Sequence, residues 1–154
     1  MNKRKSASDV CWLEWQSILA ALVVSASVAI AAQKSGQPAV QSGERVTLAG
    51  DLQTAFAYGA PNYGENPETD QKETYIVLTH FSPIDVRDTD GAVVPSVSRA
   101  QLIVPIEQDT LKRKVKQLVG AGAVIITGKV FPATTGHHHE PIVLIVESVE
   151  KSSR

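Results

Sequence analysis

From Glu44 onward, apolar and polar positions alternate in short runs separated by turn-forming residues. Val46, Leu48, Gly50 and Leu52 interleave with Thr47, Ala49 and Asp51. That period of two predicts a half-buried strand running toward Phe56, and the glycine inside it predicts a bulge or sharp coil. Tyr75 to His80 (YIVLTH), extending toward Val86, predicts a second strand, and Ser98 to Ile106 (SRAQLIVPI) a third. Leu111, Val115, Leu118 and Val119 recur at helical spacing, with Asp109 or Thr110 as cap and Gly120 as terminator. Val124, Ile126, Gly128 and Val130 alternate in a fourth strand, and Pro141 to Val149 (PIVLIVESV) supplies a fifth. The first and fourth strands share the pattern V-x-[LI]-x-G-x-[LV], which reads as a common way of bending a strand.

Five strands with one helix between the third and fourth is the order of an all-β, OB-like five-stranded Greek-key barrel, with a small antiparallel sandwich as the alternative. The barrel reading has a consequence for function. That architecture takes ligands beside the loop between its first two strands and the loop between its last two. Here these loops are Tyr58 to Gln71 (YGAPNYGENPETDQ), dense in Gly, Pro, Asn and acidic residues, and Phe131 to Glu140.

Ahead of this domain the pattern changes. Lys3, Arg4 and Lys5 precede 16 uncharged residues from Ser17 to Ala32, closed by Ala29, Ala31 and Ala32. Residues 1–32 therefore resemble a signal peptide, with an uncleaved N-terminal anchor as the alternative because Trp12 and Trp15 suit a membrane interface. Residues 33–43 read as a linker and 44–151 as the folded domain. The expected location is periplasmic, or the inner membrane facing the periplasm if the leader stays. Cys11 is the only cysteine in the 154 residues and lies before the apolar run, so the mature chain has no thiol for catalysis, metal binding or disulfides.

With the leader removed, 12 Lys and Arg stand against 14 Asp and Glu, a net charge of −2 that offers nucleic acid no attraction. Lys112, Arg113, Lys114 and Lys116 lie on the helix around the stripe set by Leu111 and Val115, which makes them its wet face. The chain is 43% hydrophobic but only 5% aromatic, so the core must come from Val, Ile, Leu and Ala.

Three of the four histidines stand together in Thr134-Thr135-Gly136-His137-His138-His139-Glu140. On an extended chain alternate residues share a side, so His137 and His139 could converge while His138 points away. A Zn or Cu site needs a third ligand, with His80 or a carboxylate from Glu65, Glu68, Asp70 or Glu140 as candidates. The competing reading is a polar turn whose imidazoles bond to backbone, with His80 a rim residue. In the first loop Tyr58 and Tyr63 offer flat faces to a small ligand or sugar, with Asn62, Glu65 and Asp70 as polar contacts. Those tyrosines could equally pack the loop onto the sheet, and the acidic set Glu65, Glu68, Asp70 and Glu73 could attract a cation or simply be solvated. No nucleophile elbow, zinc-protease helix or phosphate loop is present in the sequence, and His139 and Glu140, being adjacent, are poorly placed to pair. The expectation is a non-enzymatic binding domain for a small ligand or divalent metal. A module recognising an envelope protein or glycan is the alternative, and a hydrolase the least favoured reading. No oligomeric state is legible.

The segments V-T-L-A-G-D-L (Val46 to Leu52), P-N-Y-G-E-N-P-E (Pro61 to Glu68), Y-I-V-L-T (Tyr75 to Thr79) and the tail L-V-G…V-I-I-T-G-K-V-F-P-A-T-T-G-H-H-H-E-P-I-V-L (Leu118 to Leu144) resemble the bacterial exported family catalogued as domain of unknown function 4431. The resemblance implies export and a compact β domain, and no established activity.

Overall fold

In the computed structural model, residues 38–153 are described, and the readings made for the leader lie outside them. The described residues form six strands and one helix: β1 (Val40–Gln41), β2 (Arg45–Tyr58), β3 (Lys72–Arg87), β4 (Val93–Ile103), α1 (Asp109–Leu118), β5 (Ala123–Pro132) and β6 (Ile142–Lys151). All six strands belong to one mixed sheet ordered β1-β3-β2-β5-β6-β4, and a further β3–β4 pairing joins β4 back to β3. The β2–β3, β3–β4, β2–β5 and β5–β6 pairs are antiparallel, whereas β4–β6 is parallel. Each of the five expected strands is present and longer than its periodic stretch. Neighbouring pairs supply hydrogen bonds to flanking polar residues that carry no hydrophobic signal of their own.

Two boundaries differ from expectation. Val40 and Gln41, inside the stretch read as linker, pair in parallel with Val86 and Arg87 as the sixth strand. β4 ends at Ile103, so Pro105 falls in the turn where Gln108 N–H donates to its carbonyl. Proline can accept such a bond but has no N–H to continue a ladder.

The alternation sorts side chains as the pattern requires. Leu52, Leu78, Val124, Ile126, Val130, Leu144 and Val146 are buried in one core with Phe81 and Ala100. Gly50 and Gly128 are where backbones approach too closely for a side chain: a Cβ would collide with the carbonyl oxygen of Thr79 in the first case and of Ile145 in the second. Both positions sit at irregularities. The β2–β3 register ends at Asp51 and Thr79, and the β5–β6 register shifts between Thr127 and Gly128. The two strands sharing a sequence pattern are neighbours, paired symmetrically about Leu48 and Ile126, with Val46 opposite Gly128 and Gly50 opposite Val124.

Helix α1 lies between β4 and β5, as its sequence position requires. Its cap is Gln108, with no side-chain bond, and Asp109 is already in the first turn, where a carboxylate favours the helix dipole. Val115 is its buried anchor, Leu111 and Leu118 pack partly on the core, and the four basic residues are exposed. Among the described residues no helix is long and apolar enough to cross a membrane.

Candidate functional site

Strand alternation decides which groups reach the face of β3 and β4 under the β5–β6 loop. Val77 pairs with Gln101 and Thr79 with Arg99, so Glu73, Tyr75, Val77 and Thr79 of β3 share a face with Arg99 and Gln101 of β4. Residues 133–141 lie across that face. Gln101 brackets the loop: its Nε2 donates to the His137 carbonyl at 3.0 Å, and its Oε1 accepts the His139 N–H at 2.7 Å. One side chain thus sets the presentation of both histidines. His138 turns back, its Nδ1 accepting the Thr134 N–H at 3.0 Å.

The outer two imidazoles meet a single carboxylate. His137 Nδ1 lies 2.8 Å from Glu73 Oε1 and His139 Nε2 lies 2.8 Å from Glu73 Oε2. The hydrogen bond from His139 holds the Glu73 carboxyl below its ordinary range, with partial burial opposing and the bond and charge of His137 assisting. An ionised carboxylate only accepts, so both imidazoles donate. Side-chain exposures of 11% for His139, 23% for Glu73 and 64% for His137 describe an embedded pair with an outer partner. Gly59 makes the room, since a Cβ there would collide with the Glu73 carboxylate.

Behind this clasp is a second polar cluster. Glu140 is buried and accepts two bonds from Arg99, from Nε to Oε2 at 2.9 Å and from Nη2 to Oε1 at 2.6 Å. The Tyr75 hydroxyl donates to Glu140 Oε1 at 3.2 Å, and the Tyr75 ring lies 5.1 Å from that of His139. Burial pushes the Tyr75 phenol up, and the Glu140 charge adds to the rise. His139 and Glu140 do not bond to each other; Tyr75 stands between them.

The β2–β3 loop reaches the same pole. A Cβ on Gly136 would sit 2.7 Å from the Tyr63 ring, whose centroid is 6.5 Å from that of His137. Tyr63 has φ +52° and remains 51% exposed. The loop holds itself through Asp70, which accepts from the Asn62 N–H at 2.9 Å, the Asn62 side-chain amide at 3.1 Å and the Gly64 N–H at 2.7 Å. Burial alone would raise the Asp70 carboxyl, but the donors from Gly64 and Asn62 outweigh it and hold the group below its ordinary value. The polar atoms of Asn62 and Asp70 expected to meet a ligand are therefore engaged within the loop. Tyr58 is half-buried, 5.0 Å edge-on from Phe56 and against Gly64, as a packing residue. Glu65 and Glu68 are exposed.

His80 stands apart from the other histidines. It lies on the opposite parity of β3 from Glu73, at the irregularity after Thr79, with φ +60°. Its Nδ1 is 3.1 Å from Asp51 Oδ2 and 3.3 Å from Thr79 Oγ1. Glu73 and Thr79 are six positions apart on a regularly paired strand, a span of about 20 Å at the usual rise. The strand's pitch thus keeps His80 away from the His137–His139 pair with which it was expected to share an ion, and the side chain that meets that pair is Glu73. Among the described residues no group of three or more His, Cys, Asp or Glu side chains is placed to hold a metal ion.

Sequence reasoning placed Glu73 in an acidic set that could attract a cation or be solvated, and did not single out Tyr75, Arg99 or Gln101. A signal was there: Arg99 and Gln101 alternate with buried Ala100 and Leu102, marking a polar face on a strand. A groove of about 450 Å³ lies away from this pole, between the start of α1 and Glu147 of β6, and a concavity of about 250 Å³ lies beside the loop itself, lined by Thr134 and His138 with Phe131, Val143 and Ile145.

No curated protein and no solved structure matches this chain. A family model does match, over residues 99–150, which hold Arg99, Gln101, the three clustered histidines and Glu140. The motifs of β2, the first loop and β3 lie outside that match. Over residues 99–150, about a third of its length, the chain is similar to the family described as domain of unknown function (DUF4431).

Proposed function

We propose that this protein is an exported, periplasmic binding module with an OB-like Greek-key barrel, taking a small ligand where its two long loops meet. The strand pairing supports the barrel reading. β2, β3 and β4 run antiparallel in succession, β4 pairs in parallel with β6, and β6 returns through β5 to β2. In that architecture the two loops at this pole rim the ligand face. The basic start followed by an uncharged run ending in alanines supports export.

The observation that carries the binding reading is the contact of Tyr63 with Gly136 and His137, which joins segments more than seventy positions apart into one exposed surface. An aromatic face held in place beside imidazoles and a carboxylate can bind a ligand at little ordering cost. The half-exposed Tyr63 ring also favours a second reading, recognition of an envelope glycan by stacking. Neither reading requires catalysis. The hydroxyl bonded to an imidazole, that of Thr79, sits at His80 and away from this surface.

Amide shifts measured by nuclear magnetic resonance test the proposal. During titration with peptidoglycan fragments and, separately, with Zn²⁺, perturbed residues should cluster in 59–71 and 133–141. Perturbation confined to the α1–β6 groove, or none with either class, would overturn it.

A further inference from the structure

We infer that the open edge of β2, from Thr54 to Tyr58, pairs antiparallel with the same edge of a second copy of this chain, giving a two-fold dimer. β5 leaves β2 at Asp51, paired with Ala123, whereas β3 follows it on the other side as far as Tyr58. Beyond Asp51 the β2–β3 hairpin therefore projects as a two-stranded ribbon. Two bonds show which way its backbone groups point: the Gly59 N–H donates to the Gln71 carbonyl on the β3 side, and the Gly120 N–H donates to the Leu52 carbonyl from the opposite side. Backbone groups alternate in direction along a strand, so Thr54, Phe56 and Tyr58 turn theirs outward. Among the described residues no backbone group bonds to them there.

Strand edges are commonly guarded by charge, proline or a bulge, and this one has none of them. From Gln53 to Tyr58 the strand carries no charged residue and no proline, and its pairing with β3 runs without a register shift. Phe56 keeps the parity of the buried Leu48 and Leu52, yet it is 49% exposed and meets Tyr58 only edge-on. An apolar ring thus stands beside unpaired backbone groups, on a face that its own chain does not finish covering.

The occupant is a second copy because the edge is complementary to itself. Thr54-Ala55-Phe56-Ala57-Tyr58 reads nearly the same in both directions about Phe56. A two-fold axis there sets Phe56 against Phe56, Thr54 against Tyr58 and Ala55 against Ala57, with the outward-turned residues exchanging both backbone bonds. The aromatic pair at the axis adds to the ladder. The nearest charges on the ribbon, Lys72 and Glu73, lie on β3 opposite Tyr58 and Ala57, near its tip. Antiparallel pairing sends the two tips in opposite directions, so like charges do not meet. Each tip arrives beside Leu52 of the other copy, where Gly120 and Gly122 leave open space: a side chain at either would meet nothing within 4 Å. Ala55 and Ala57 lie opposite Tyr75 and Glu73, so pairing also runs the two loop-bearing faces into one sheet, with Tyr75 of one copy about 14 Å from Glu73 of the other at the usual strand spacing. Five residues per copy fall short of the about 1,600 Å² of a standard interface, and the dimer therefore dissociates on dilution.

The test is sedimentation of the full chain over a concentration series, with amide hydrogen exchange measured at its two ends. The expected result is a monomer–dimer equilibrium in which the amides of Thr54, Phe56 and Tyr58 gain protection with concentration, while those of Ala55 and Ala57, already turned toward β3, do not change. Phe56→Lys places like charges at the axis and, checked for folding by circular dichroism, should weaken the dimer by at least about tenfold. Phe56→Tyr keeps the aromatic pair and should associate like the parent. So should Ile106→Lys, which removes the 88% exposed isoleucine elsewhere on the surface. A chain that stays monomeric up to about 1 mM, a range that detects even weak pairing, would overturn the inference. Association of equal strength in Phe56→Lys would overturn it too and move the contact elsewhere, as to the apolar run of residues 17–32. The loop-pole reading is untouched by either outcome, because its titration is read at 59–71 and 133–141.

Discussion

Two histidine–carboxylate clusters on the same strand have opposite settings. At the start of β3, Glu73 receives His137 and His139 from a distant loop, and behind it Arg99 and Tyr75 converge on the buried Glu140 carboxylate. Farther along, His80 meets Asp51 of the adjacent strand at 3.1 Å, with both side chains well exposed. The chemistry of the pairs is alike; what differs is the backing. A hydrogen bond between exposed neighbours competes with water and contributes little. The same groups, partly enclosed and braced by a buried carboxylate, hold a nine-residue loop in one place.

Removing the brace should give the largest effect. Arg99→Ala leaves the Glu140 carboxylate buried with only the Tyr75 hydroxyl, and should lower stability by about 2 kcal/mol, as for other hydrogen bonds to charged groups. Chemical denaturation would read this; a loss comparable to that of Asp51→Ala would erase the contrast between the clusters.

Acid should loosen the loop pole. Glu73 and Asp70 both titrate below their ordinary values of 4.5 and 3.8 in the folded chain, because each accepts bonds that favour the charged form. A lowered folded value means the stabilisation is complete above the unfolded value and disappears as pH falls through the folded one. Amide protection at His139 should therefore begin to fall below about pH 4.5, and at Asn62 and Gly64, which donate to Asp70, below about pH 3.8. At the alkaline end the sign reverses. Tyr75 is raised above 10.0, so its contribution is complete below that pH and lost as pH climbs through the folded value. Phenolate absorbance should show one tyrosine titrating late.

Glu73→Gln should release the loop without unfolding the sheet, since the core lies on the other face of β3. Faster exchange at His137 and His139 with unchanged protection at Leu78 and Ile126 is the expected pattern. The smallest effect belongs to the outer cluster. Asp51→Ala should change stability by no more than about 0.5 kcal/mol. His80→Gly, which relieves a left-handed backbone, should be neutral or stabilising by up to about 1 kcal/mol. A large loss in either variant would show that His80 carries more than its exposure suggests.

The histidine triplet was conspicuous in the sequence because composition alone marks it, and alternation correctly separated His138 from its neighbours. Its partner was not legible. Glu73 has the same look as Glu65 and Glu68, and only the pairing of Ala57 with Glu73 places it beside Gly59 and under the loop. His80 attracted attention as the remaining histidine, yet one residue type recurring is no measure of distance when a strand rises about 3.3 Å per position. Asn62 and Asp70 were recognisable as polar loop residues, but nothing in their order says that they bond each other instead of a ligand.

Local periodicity by itself determined where five strands and one helix form, which faces turn inward, and that Gly50 and Gly128 mark bends, because each is a property of neighbouring residues. Register determined the rest. That Val77 faces Gln101 and Thr79 faces Arg99, bringing a carboxylate, two imidazoles and a half-buried ion pair under one loop, depends on contacts between residues far apart in the chain. Such contacts exist only once the backbone hydrogen bonds between strands have chosen their partners.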